Sequence, residues 1–265
     1  MLKEELPNHY SLPNENKWAA YFWSILEKAV DYHLPQWTAF TDPRQQQIAR
    51  DLLRSFPGEV KCFFYGGYPE AERVRICAVP KGVVNQDNRT RIGCVLVKGD
   101  FPPGVLSHRD FLGALMGIGI KRDALGDIVY RGEDKAYIFL LPELAPFLEQ
   151  NLTGIGRFAA EVKMADPEKL DLELAARQVR EIKGTVASMR VDAVAGLGFG
   201  LSRSRIAPLI KGEQVKVNYQ VINQPSKNVK VGDLISLAGK GRIVVADVLG
   251  ESRKGRIHLL LHRII

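Results

Sequence analysis

The order of apolar periods along the 265 residues predicts an α+β protein of three parts. These are an N-terminal α/β region (residues 1–85), a central βαββαβ domain (86–183), and a C-terminal module of a helical hairpin plus a small β-sheet (184–265). The middle of the chain alternates between strand-like and helical segments, and the last third switches from a helical period to a period of two after Gly212. Charge divides along the same line. Residues 184–265 hold 13 Lys and Arg against 5 Asp and Glu, whereas the preceding 183 residues hold 24 against 25, so the formal net charge of +7 comes from the C-terminal third. Such a distribution predicts a polyanion-binding module attached to a near-neutral body.

The first helix is expected over residues 15–33, where Trp18, Phe22, Ile25, Leu26, Ala29 and Val30 recur at helical spacing. Asp42-Pro43 caps a second helix through Leu53. From Val60 the pattern is strand-like through Cys62-Phe-Phe-Tyr65, turns at Gly66-Gly67-Tyr68-Pro69, and resumes from Val74 to Val79. In the middle, Ile92–Val97 reads as a strand and Ser107 caps a helix to Met116. Ile128–Tyr130 and Ala136–Leu141 read as strands, Pro142 starts a helix to Gln150, and Arg157–Met164 reads as the last strand. That order is the ferredoxin-like one shared by RNA-recognition (RRM-like) domains, whose third strand stacks bases on exposed aromatics. Tyr137 and Phe139 alternate onto one face of the third strand here, and core packing is the preferred reading for them. Gly117-Ile118-Gly119 with Lys121 and Arg122 has two readings, a phosphate cradle or a helix C-cap and turn; it does not open a helix after a strand as a dinucleotide loop must.

In the last third, Val191–Leu197 and Ser202–Ile210 form the helical hairpin, with Gly196, Gly198 and Gly200 supplying helix ends and a turn. Ser202 is positioned to N-cap the second helix and places Arg203 in its first turn, where free N–H groups favour an anion. Short strands follow around Val215-Val217, Val221, Val229-Val231 and Leu234-Ile235, then Ile243–Leu249 and Ile257–Leu261, the last two joined by Gly250–Gly255. The candidate RNA-contacting residues are Arg190, Ser202, Arg203, Arg205, Lys211, Lys216, Asn218, Lys227, Lys230, Arg253 and Lys254. Cations beside hydroxyl and amide groups suit phosphate contact, and a solvated helix face is the plain alternative. His258 and His262 share a strand face without a third ligand and read as structural.

The stretch Met189–Leu237 resembles the RNA-binding module named after a small-subunit ribosomal protein, the S-four domain. The resemblance lies in Arg190-Val191-Asp192, Ser202-Arg203, Ala207, Ile210, Val215-Lys216-Val217-Asn218 and Val231-Gly232-Asp233. It departs at Tyr219, where that family usually has Gly, and at Pro208 inside the second helix. Together with His108-Arg109-Asp110, Gly66–Arg73 and Gly117–Asp127, the chain resembles the YlmH family from about residue 60 onward. That resemblance implies a factor that binds the large ribosomal subunit with tRNA in ribosome-associated quality control, with a further link to cell division. It also implies secondary RNA or ribosome contacts at Arg109, Lys121 and Arg122. Members from photosynthetic lineages are called photosystem II S-four proteins; the residues supply no physical argument for such a role.

The remaining readings are exclusions and expectations. Cys62, Cys77 and Cys94 are odd in number and lack paired-ligand spacing, so neither a disulfide framework nor a zinc ribbon is expected. No run approaches the roughly 18 apolar residues of a membrane span, and a soluble cytoplasmic protein is expected. Pseudouridine-synthase and tyrosyl-tRNA-synthetase motifs, a nucleophile elbow, a Walker loop and HExxH are all missing. Glu70, Glu72, Asp110, Asp123 and Asp127 would form a catalytic site only if the fold gathered them. The expectation is a non-enzymatic protein without cofactor or metal that binds structured RNA, rRNA or tRNA, on the large ribosomal subunit. The alternatives are an RNA-modifying enzyme with an N-terminal site and a protein-interaction scaffold for cell division or photosystem assembly.

Overall fold

The computed structural model describes residues 10, 12–84, 91–102, 104–131, 134–170, 179–253 and 255–264. The chain forms two compact units, Met1–Leu172 and Glu173–Ile265. In the first, helix α1 (Pro13–Tyr32) starts on a proline and ends where His33 turns left-handed at φ 50°. It buries Ala19, Phe22, Trp23, Ile25, Leu26 and Ala29, the stripe that the helical spacing marks out. Helix α2 (Pro43–Ser55) opens on a reciprocal capping box between Asp42 and Gln45. Both helices pack on a sheet in which β3 (Arg75–Pro80) lies between β1 (Gln36–Trp37) and β2 (Val60–Tyr65).

The central part of the same unit contains β4 (Gly93–Lys98), α3 (His108–Gly117), β5 (Leu125–Arg131), β6 (Lys135–Leu140), α4 (Ala145–Asn151), β7 (Gly154–Ile155), β8 (Phe158–Ala159) and β9 (Glu161–Ala165). Its four-stranded antiparallel sheet runs β5-β6-β4-β9, the ferredoxin-like strand order. Val95, Val97, Ile128, Ala136, Ile138, Leu140 and Val162 face α3 and α4 and form one core with Phe111, Leu115 and Leu148. The strand expected over 157–164 is broken. Gly156, at φ 58°, turns a short β7–β8 hairpin, and the Ala160 N–H bonds back to the Thr153 carbonyl, so only Glu161 onward joins the sheet.

A boundary drawn at residue 85 cuts through contacts of this unit. Asp127 accepts hydrogen bonds from the Tyr68 hydroxyl (2.7 Å) and from the N–H groups of Glu72 (2.7 Å) and Arg73 (3.1 Å). Arg73 in turn donates to the carbonyls of Leu125, Phe40 and Arg122 at 2.8, 3.3 and 3.1 Å. Burial, followed by the nearby Arg122 charge, pulls the Arg73 guanidinium down to about 10. Gly67, at φ 101°, lies so close to Phe139 that a Cβ there would meet the ring at 2.4 Å. Tyr68 packs on the same ring, with 5.0 Å between centroids.

The second unit is a six-stranded sheet ordered β10-β15-β14-β13-β11-β12 with a helical hairpin against it. Its strands are β10 (Val179–Val186), β11 (Val215–Val217), β12 (Gln220–Val221), β13 (Leu234–Leu237), β14 (Gly241–Glu251) and β15 (Ile257–Ile264), and its helices α5 (Val191–Phe199) and α6 (Arg203–Lys211). The boundary expected at Lys183 is displaced, because β10 runs through it and pairs with β15 from Val179↔Ile264 to Val186↔Ile257. Backbone groups on both sides of Lys183 are thus committed to the C-terminal sheet. Gly200 ends α5 in the left-handed region at φ 65°.

Replacing Asp127 with Ala strands three donors that it now satisfies. The variant should lose about 2–4 kcal/mol of stability, read from the urea unfolding midpoint.

Candidate nucleic-acid interface

The second unit brings two of the predicted cations to one carboxylate. Arg190 occupies the N-cap position of α5 and grips Asp192 with two hydrogen bonds, Nε to Oδ1 at 3.2 Å and Nη2 to Oδ2 at 2.9 Å. Arg203, in the first turn of α6, approaches the same carboxylate at 3.7 Å. Asp192 is only 6% exposed, whereas the side chains of Arg190 and Arg203 are 41% and 54% exposed. A buried anion therefore holds two guanidinium groups at the starts of successive helices, with donors left over for a ligand.

The segment between β12 and β13 adds to this cluster. Its backbone binds the start of α5 through Val191 N–H to Lys227 O (2.8 Å), Asp192 N–H to Pro225 O (3.2 Å) and Val229 N–H to Met189 O (2.8 Å). These bonds bring exposed Lys227 to the Arg190 end of α5. Lys227 and Lys230 also rim a concavity of about 320 Å³ shared with Asn218, Gln220, Asn228 and Asp233. Asp233 is buried and accepts from the Lys230 N–H and from Asn218 Nδ2, both at 2.9 Å.

Several predicted residues have other duties. Ser202 is the N-cap residue by position, but its hydroxyl bonds to Ser204 Oγ at 2.9 Å and makes no cap bond. The Asn218 amide is occupied at both ends, by Asp233 and by the Leu234 N–H. Asn218 and Tyr219 stand at φ 49° and 67° in the two-residue β11–β12 turn, so the position where the S-four pattern usually has Gly carries a left-handed tyrosine. Arg205 is exposed on α6, Lys211 ends that helix, and Lys216 lies on the solvent side of β11 between buried Val215 and Val217. Arg253 is exposed at the β14–β15 hairpin tip, and Lys254 lies outside the described residues. Sequence reasoning missed Arg256, which donates to Thr185 Oγ1 at 3.1 Å and to the Thr185 carbonyl at 2.9 Å, fastening that tip to β10. No local pattern marks this contact, which spans 71 positions.

The central domain does not assemble its three predicted cations. Arg109 is exposed near the start of α3 and Lys121 is exposed beyond its end, so the helix separates them. Arg122 is half-buried, with Nη1 at 3.4 and 3.5 Å from the Leu125 and Gly126 carbonyls, and burial lowers its pKa. The preceding glycines cap α3: Gly119, at φ 91°, and Ile120 donate to the Met116 and Leu115 carbonyls at 3.0 and 3.1 Å. Of the carboxylates, Asp110 accepts from Ser107 at the start of α3, whereas Asp127 holds the Tyr68–Arg73 turn and lies with Glu72 near the Arg73 and Arg122 guanidinium groups. Phe139 belongs to the core. Burial pushes the Cys62, Cys77 and Cys94 thiols up to about 12, 11 and 12. Among the described residues, no group of three or more His, Cys, Asp and Glu could hold a metal ion, and no helix is long and apolar enough to cross a membrane.

A ferredoxin-like domain followed by a cationic helical hairpin on a small sheet defines an S-four-type RNA-binding class of protein. Residues 189–235 match the model of the S4 domain, and residues 101–169 match the model described as "Putative RNA-binding domain in YlmH". The chain is 32% identical over 226 residues to the Ribosome-associated protein quality control protein P2 of Bacillus subtilis (strain 168), covering 85% of this chain and 86% of that protein. It therefore belongs to the YlmH family. Its fold is similar to that of the cell division protein ylmH from Streptococcus pneumoniae, at a TM-score of 0.51 and 22% identity, over 62% of this chain and 98% of the other.

The two arginines should differ in their effect on stability. Among the described residues, Arg190→Ala leaves the Asp192 carboxylate with the 3.7 Å contact to Arg203 and should cost about 1–3 kcal/mol. Arg203→Ala should change stability by less than about 0.5 kcal/mol. Urea titration of both variants measures the difference.

Proposed function

We propose that this protein is a non-enzymatic RNA-binding factor that acts in ribosome-associated quality control, gripping structured RNA, rRNA or tRNA, on the large ribosomal subunit. The observation that carries the proposal is the arginine pair organised by Asp192, exposed at two helix starts beside Lys227. Guanidinium groups held in a fixed orientation suit the recognition of phosphate oxygens. The name of the Bacillus subtilis relative supports the ribosomal setting. A near-neutral first unit with exposed Arg109 and Lys121 is suited to setting position on a large particle, since register needs only a few well-placed cations and shape.

RNA binding by the full chain should fall with salt. Neutralisation of about five phosphates gives a slope of log K against log salt between roughly −3.5 and −4.5. Arg190→Ala and Arg203→Ala should each weaken hairpin-RNA binding by about 1–3 kcal/mol in folded protein. Salt-independent binding, or full affinity in both variants, refutes the assignment.

The double variant Arg109→Ala/Lys121→Ala should bind short RNA hairpins as the parent does and associate less with purified large-subunit particles in co-sedimentation. Equal loss on both ligands would make these residues part of a single RNA surface with the second unit.

A further inference from the structure

The face of the central sheet turned away from α3 and α4 is closed along one row of side chains and open along the next two. Residues paired across strands share a face, so the register defines these rows. The closed row contains Phe139 and its partner Cys94, 0% and 2% exposed, with Phe139 under Tyr68. The next row runs Val129, Tyr137, Leu96, Lys163 across all four strands. Its three apolar members are half-buried, and the Lys163 side chain is 65% exposed. The third row is Arg131, Lys135, Lys98, Glu161. The residues alternating with these, among them Val95, Val97, Ala136, Ile138 and Val162, point into the core, so both open rows face outward.

An aromatic ring among aliphatic neighbours, bordered by Lys98, Lys135, Lys163 and Arg131, therefore lies on the outward face of the sheet. Two of these lysines form exposed ion pairs, Lys163 with Glu161 at 2.6 Å and Lys135 with Asp134 at 3.9 Å, which are weak enough for a phosphate to displace. We propose that these two rows form a second nucleic-acid site, specific for unpaired RNA, in which one base stacks on Tyr137 and the flanking phosphates meet Lys98, Lys135 and Lys163. An aromatic platform flanked by cations fits a single strand, because a duplex keeps its bases stacked and offers only backbone. Successive rows on one face are about 7 Å apart, which leaves room for one stacked base and its neighbouring phosphates. The closed row ends the track, since Tyr68 occupies the ring of Phe139 where a second base would stack.

The site lies in the first unit and rests on the proposed function only in taking RNA as its ligand. The test uses the full chain with two probes, a fluorescent oligouridylate and a short-looped RNA hairpin. Tyr137→Ala should weaken oligouridylate binding at least about fivefold, the lower end of what loss of one base–aromatic stack produces, and leave hairpin affinity unchanged. Tyr137→Phe should retain both affinities. Lys98→Ala/Lys135→Ala, changed only at surface positions, should weaken oligouridylate binding and flatten its salt dependence, which keeps the test decisive if Tyr137→Ala fails to fold. Photocrosslinking of a 5-iodouridine oligomer should label the peptide carrying Tyr137. That label is expected even if hairpin binding in the second unit is absent, so failure of the proposed function and failure of this site are distinguishable. Unchanged oligouridylate affinity in the lysine variant, with crosslinks confined to the second unit or none at all, overturns the proposal. Retention of a protein partner by the same surface without any RNA crosslink overturns it equally.

Discussion

A carboxylate drawn away from water must be surrounded by donors, and buried Asp192 and Asp233 and half-buried Asp127 impose that condition on the segments around them. Asp127 draws in the Tyr68 hydroxyl and the N–H groups of Glu72 and Arg73, which lays the turn after β2 onto the central sheet. Asp192 takes both nitrogens of one Arg190 fork and stands within ion-pair distance of Arg203. Asp233 receives the Asn218 amide and the Lys230 N–H. Asp127 and Asp233 each fix a loop outside the helices and strands, and the cationic surface depends on Asp192 and Asp233.

The two units use charge in different ways. In the first, Arg73 and Arg122 lie half-buried against backbone carbonyls, so their charge serves cohesion and is unavailable to a partner. In the second, the guanidinium groups remain substantially exposed while the anion that positions them is hidden. That asymmetry suits a surface whose ligand carries negative charge, because the protein has already oriented its donors and the ligand supplies the counter-charge. The open rows of the central sheet share this character on a smaller scale, with a half-buried ring between exposed lysines.

Much of the architecture was legible in residue order. The α1 stripe from Trp18 to Ala29, the Asp42-Pro43 cap and the βαββαβ order follow from periodicity and from caps acting over a few residues. The RNA-contacting candidates were legible as residue types, and most of those in the second unit lie exposed where phosphate could reach them. Asn218 and Arg122 were not, because their side chains are consumed by partners that become near only after folding. The contacts that cross residues 85 and 183 were hidden for the same reason: Asp127 reaches back 55 positions to Glu72, and β10 pairs with a strand some 80 residues further on.

The sequence by itself determined the fold class, the concentration of net positive charge in the last third and the identity of the binding module, since local periodicity, summed charge and short motifs do not depend on long-range contacts. Only the tertiary structure decided which cations a ligand can reach. Arg122 and Arg203 are the same residue type, each near an aspartate in the fold, yet one donates to Leu125 and Gly126 carbonyls while the other remains 54% exposed beside Asp192. The difference arises from desolvation and hydrogen-bond geometry, which belong to the packed chain and cannot be assigned to a residue before its neighbours are in place.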